Sequence, residues 1–296
     1  MPDPVAPRRR ATTPDPVPRS GLVPPAVRGP EPAPATASAQ LREPVLSARD
    51  IRVDFGGVRA VDAVSVDVYR GEVVGVIGPN GSGKTTLLNA ITGVVPASGE
   101  LYVGGVPVRL GSPERARRAG LVRMFQTPQP VRALTCVENV LLATSDTRHR
   151  GLLAAWLLRP LMARVEQERL AGAQAALDRV GLGDRAELSA GVLTYGEQRL
   201  LDIARGIAAV PRVLMLDEPS AGLNSRETDA LLLLLRAVAA DGVGLLVVDH
   251  KIDFIDALCD RITVLETGRV VAEGVPAAVW RDRRVMDAYL GVAHDG

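Results

Sequence analysis

From residue 45 onward the chain alternates short apolar runs with longer stretches of helical periodicity. The runs at 73–77, 121–125, 213–216, 245–248 and 262–265 predict strands, and several are apolar at consecutive positions, as strands buried on both faces are. Helical spacing predicts helices over 84–92, 196–209, 226–239 and 252–259. Strand and helix in alternation predict an α/β domain with a mainly parallel sheet. Between about 137 and 190 the pattern is purely helical, with pieces at 137–143, 152–158 and 164–180. A helical subdomain inserted into the α/β core explains that break. No internal repeat is present.

Composition sharpens this outline at its ends. Residues 1–44 hold twelve of the 22 prolines and follow neither period, so they predict a disordered tail ahead of a domain spanning 45–291. The apolar stretches at 151–158 and 231–235 are far shorter than the roughly 18 to 20 residues that cross a bilayer. Arg8, Arg9 and Arg10 are followed by no apolar segment, which argues against an export signal. Net charge is +1, so no global field favours nucleic acid or anionic lipid, and phosphate binding must come from a local site. Cys136 and Cys259 stand far apart without metal-ligand spacing, which fits a reducing cytosol.

Such a local site is visible. Gly78-Pro79-Asn80-Gly81-Ser82-Gly83-Lys84-Thr85 follows an apolar strand and opens a helix, the context a phosphate-binding P-loop requires. Its glycines let backbone N–H groups turn toward phosphate, and the helix start adds partial positive charge. Lys84, one of only two lysines in the chain, would reach the β- and γ-phosphates of a bound nucleotide. Thr85 would take one Mg²⁺ position, with Thr86 beside it among the nucleotide contacts. The run at 213–216 ends in Asp217 and Glu218. Strand ends in a parallel sheet converge on one crevice, so Asp217 is expected to hold Mg²⁺ and Glu218 to act as general base on the attacking water. The next strand ends at Asp249-His250, and His250 is expected to contact the γ-phosphate or that water. Lys251 reads as a solvated residue at a helix start.

Beside these elements stands Leu193-Thr194-Tyr195-Gly196-Glu197-Gln198 at a helix start, and with it the chain resembles the ATP-binding subunits of ABC transporters. The hexamer looks like that family's signature sequence, although the family most often has Ser and Gly where Thr194 and Tyr195 stand. The resemblance implies that Thr194, Tyr195, Gly196, Glu197 and Gln198 read the γ-phosphate held by a second ATPase subunit, so two ATPs would lie in a sandwich. It places Gln126 in a glutamine loop that joins Mg²⁺ and water to a helical subdomain over about 127–205. It places Ser220–Asn224 in a loop coupling the two sites, and Phe55 against adenine. A core position in the first sheet is the other reading of Phe55. The implied fold is a P-loop NTPase with an N-terminal antiparallel β part.

The resemblance runs from about 45 to 291. Phe55-Gly-Gly-Val-Arg-Ala-Val-Asp, the Tyr-Gly-Glu-Gln-Arg199 form of the signature and the terminal Ala288-Tyr-Leu-Gly291 look most like branched-chain amino acid importers. Urea and short-chain amide importers and the ATPase of lipopolysaccharide export share much of that pattern. The implied partners are a second ATPase copy or paralogue, transmembrane permease subunits and an extracytoplasmic solute receptor. The implied place is peripheral, on the cytoplasmic face of the plasma membrane. A soluble ABC-type ATPase outside transport would carry two nucleotide domains or a long coiled coil, and neither pattern is present.

Overall fold

The computed structural model describes residues 43–144 and 159–290. The expected tail, save Glu43 and Pro44, the helical piece at 152–158 and the last residue of the 288–291 motif lie outside the described residues.

Two sheets form the frame. A four-stranded antiparallel sheet has the order β2-β1-β4-β5, from β1 (Leu46–Phe55), β2 (Val58–Val68), β4 (Ser98–Val103) and the short β5 (Val106–Pro107). A six-stranded sheet has the order β10-β9-β3-β8-β7-β6. It comprises β3 (Val73–Ile77), β6 (Leu121–Met124), β7 (Val213–Asp217), β8 (Gly244–Val248), β9 (Arg261–Glu266) and β10 (Arg269–Gly274). All pairs are parallel except β9–β10, whose tight turn makes it antiparallel. The expected mainly parallel sheet and antiparallel N-terminal part are therefore both present.

Strand alternation divides the core. Val74, Val76, Met215, Leu246 and Val248 face one cluster with Leu87, Leu88 and Ile91 of α1 (Lys84–Ile91) and the inner face of the antiparallel sheet. Their neighbours Val73, Ile77, Leu214, Leu216, Leu245 and Val247 face the opposite cluster. Both sets are buried, each large side chain contributing about 1.5–3 kcal/mol, and so the runs show no polar alternation.

After α2 (Pro113–Arg118) and β6 the chain enters α3 (Cys136–Thr144) and α4 (Arg159–Arg179). It returns through α5 (Tyr195–Ala208), whose middle carries buried Leu201, Ile203 and Ala204. Cys136, Val140, Ala173 and Leu177 join the same apolar cluster. Helices α6 (Ser225–Ala240) and α7 (Ile252–Leu258) follow β7 and β8. Thr194 and Asn224 each form a capping box, with Glu197 and Glu227, which fixes where α5 and α6 begin.

Candidate nucleotide site

The phosphate loop joins β3 to α1. Gly83 caps α1 in the left-handed region with no side-chain cap, and the first turn carries no acidic residue, so its backbone N–H groups are left to an anion. Gly78 has φ of 149°, and a Cβ there would collide with the Leu265 carbonyl and the Ser82 hydroxyl. Only glycine lets the loop turn so close to β9. Lys84 Nζ donates to the carbonyls of Gly78 (2.8 Å) and Pro79 (2.9 Å), curling over the loop that spans Pro79, Asn80, Gly81, Ser82 and Gly83. Burial pulls the Lys84 ammonium below its usual range, against the upward pull of Glu218 and Asp217. The Ser82 hydroxyl is buried without a partner among the described residues. An amide-lined turn, a buried ammonium and an orphaned hydroxyl fit a polyphosphate. Thr85 and Thr86 occupy the first turn of α1.

The acid pair lies at the end of β7, two strands from β3. Glu218 sits in the left-handed region at φ 48°, a conformation uncommon for a side-chain-bearing residue and characteristic of constrained sites. Its two carboxylate oxygens are separately engaged. Gln126 Nε2 donates to Oε2 at 2.6 Å, and His250 Nε2 lies 2.6 Å from Oε1. Gln126, Glu218 and His250 thus meet at one point. Asp217 is held by Arg123, whose Nη2 donates to Oδ2 at 2.8 Å. Thr85, Asp217 and Gln126 offer oxygen donors, the chemistry Mg²⁺ takes, and the described residues contain no three-ligand His/Cys/Asp/Glu cluster. That donor set suits a metal carried largely by phosphates.

Thr194 Oγ1 accepts from Glu197 N (3.3 Å), and Glu197 Oε2 accepts from Thr194 N (2.9 Å). Gln198 Nε2 donates to Leu193 O (2.9 Å). None of these bonds reaches the phosphate loop. Tyr195 packs over Gly222, where a Cβ would lie 2.8 Å from its ring, so Tyr195 and Gly196 abut the Ser220–Asn224 loop of their own chain. Phe55, at the end of β1, is 47% exposed and therefore a surface aromatic, not a core residue.

Several residues that hold the site were not legible in the sequence. Arg199 is 1% exposed; it donates to Phe125 O (2.8 Å), Gln126 O and Tyr195 Oη (3.3 Å). Asp202 accepts from Gln129 N (3.0 Å), and Arg205 donates to Gln129 O (3.0 Å). Asp249 accepts from the backbone and hydroxyl of Ser220 (3.0 and 2.8 Å). Lys251 is exposed at the N-cap of α7, the helix-start position expected for it, and its ammonium also donates to Ser220 O (3.0 Å) and Leu223 O (3.3 Å), because α7 starts beside that loop.

A family described as ABC transporter matches residues 61–221, and one described as branched-chain amino acid ATP-binding cassette transporter matches 269–295. The high-affinity branched-chain amino acid transport ATP-binding protein BraF of Pseudomonas aeruginosa is 37% identical over 255 residues, covering 86% of this chain and 100% of that protein. A solved ADP conformation of an ABC transporter ATP-binding cassette superposes with a TM-score of 0.73 at 30% identity, over 84% of this chain and 99% of that one. A dimeric post-hydrolysis cassette bound to ADP and Pi gives 0.63 at 25% identity, over 78% and 98%.

Proposed function

The chain belongs to the ABC transporter family of ATP-binding, ATP-hydrolysing subunits, and from that premise we propose that it energises import of branched-chain amino acids. Two features support the solute: the match at 269–295 and the full-length similarity to BraF.

The proposed mechanism uses the chain's own groups. The loop amides and Lys84 bind the triphosphate, and Phe55 covers the base. Thr85, Asp217 and Gln126 would hold Mg²⁺, which supplies charge neutralisation at the transferring phosphoryl group. Glu218 takes a proton from the attacking water, and Gln126 and His250 fix the direction of its oxygens. That Gln126 and His250 converge on opposite oxygens of one carboxylate is the observation that carries this reading. The signature at 194–198 reads the γ-phosphate of a second ATPase subunit, a reading supported by the dimeric relative. Permease subunits dock in the groove of about 410 Å³ lined by Arg117, Phe125, Leu142, Ala143 and Asp202. A solute receptor completes the system. No helix among the described residues is long and apolar enough to cross a membrane, and we place the subunit on the cytoplasmic face through its permease.

Glu218→Gln tests the base. The variant should bind ATP within about twofold of wild type, lose about 10²- to 10⁴-fold in turnover and accumulate as an ATP-bound dimer on size exclusion. Wild-type turnover would remove Glu218 from that role.

A further inference from the structure

Arg123 is a charged side chain that the proposed mechanism does not use, and it is 6% exposed. Strand β6 pairs with β7 so that Arg123 lies opposite Met215, which sends its guanidinium forward to Asp217, itself 5% exposed. The contact is a direct ion pair at 2.8 Å. The other arm, Nη1, donates to Asn89 Oδ1 on α1 and lies 3.5 Å from Thr92 Oγ1. The guanidinium carbon lies 4.9 Å from the centroid of the Phe125 ring. Helix α1, which opens with the phosphate loop, and the strand leading into Gln126 therefore hold this cation in place. Arginine cannot shed its proton, so the charge is permanent.

We propose that Arg123 is a positioning counter-charge that keeps Asp217 from taking a divalent metal until a triphosphate arrives. The inference rests on the reading of Asp217 as a metal residue. In the nucleotide-free site the formal charges of Arg123, Lys84, Asp217 and Glu218 cancel, so a dication entering alone meets no net attraction. The four negative charges of ATP reverse that balance, and metal loading then follows nucleotide. Without Arg123 the same site carries one uncompensated carboxylate inside the protein, where poor screening makes a single charge count heavily.

The test measures metal binding without nucleotide, by Mn²⁺ paramagnetic resonance and by the melting shift with Mg²⁺. Wild type and Arg123→Lys should bind Mn²⁺ weakly and alike. Arg123→Met should bind about tenfold or more tightly, and Asp217→Asn added to it should abolish the gain. Arg123→Gln, which keeps donors toward Asp217 and Asn89, replaces the Met variant if that one does not fold. Equal Mn²⁺ affinity in wild type and the neutral variants overturns the proposal. So does a gain in Arg123→Lys, or one that survives Asp217→Asn. A merely structural arginine would lower the melting temperature without tightening metal. The metal reading is checked separately in wild type: if Mg²⁺ does not alter ATP affinity there, that reading fails whatever the Arg123 variants do.

Discussion

Replacing Arg199 with methionine separates the alignment of Gln126 from the binding of ATP. The guanidinium is buried and bonds the carbonyls of Phe125 and Gln126 in part-buried contacts, so its removal leaves two partly shielded acceptors without their donor. Each stranded group costs about 1–3 kcal/mol. Methionine fills much of the volume and spares the burial of a charge, which recovers part of that loss. The net destabilisation should be about 3 kcal/mol, or roughly 6–12 °C in melting temperature for a chain of this size. The kinetic effect should be selective, because no bond from Arg199 touches the phosphate loop. ATP affinity should stay within about twofold, while kcat falls about 10- to 100-fold as the Gln126 amide loses its fixed direction on Glu218. Phosphate release at saturating ATP, well below the variant's melting point, and titration with a fluorescent nucleotide read the two quantities. A double-mutant cycle with Gln126→Ala supplies the decisive comparison. If Arg199 acts through Gln126, the double variant should be no slower than Gln126→Ala alone. Additive losses, or a fall in ATP affinity that keeps pace with kcat, would refute the reasoning.

Two further outcomes follow from local geometry. Gly78→Ala must force a Cβ into the Leu265 carbonyl at φ 149°, so it should cost about 3 kcal/mol and abolish the melting shift with ATP; a normal shift would contradict the loop geometry. Burial pushes the Cys259 thiol up to about 12, above its unfolded value of about 8.5. Its stabilising contribution is thus whole below about pH 8.5 and is lost as pH rises toward about 12. The stability of wild type relative to Cys259→Ala should be flat from about pH 6 to 8 and then fall by at most about 1.4 kcal/mol per pH unit, in urea titrations. A difference that stays flat through about pH 10 would count against this thiol's burial.

What could be read from the chain alone was what is local. The phosphate loop declares itself because glycine, lysine and threonine must occur within eight positions. Asp217 and Glu218 are legible because an apolar strand buried on both faces ends abruptly in charge. Arg123 and Arg199 were not, since their partners lie 94 and more than 70 residues away, and either arginine alone looks like an ordinary polar position. That Phe55 lies outside the core needed its exposure, because an aromatic ending a strand can equally pack inward. The short β4–β5 pair, α2 and β10 have too few apolar positions to establish a period.

Helix α5 has 14 residues and is thus roughly 20 Å long, with Thr194 at one end and Met124 and Leu214 packed against Gly206 toward the other. Four hydrogen bonds, three donated by Arg199 and Arg205 and one accepted by Asp202, suspend the 125–129 segment from its flank. The helix and the 125–129 segment are therefore coupled like a crank and its pin: any tilt of the helix would be passed to the backbone that carries Gln126.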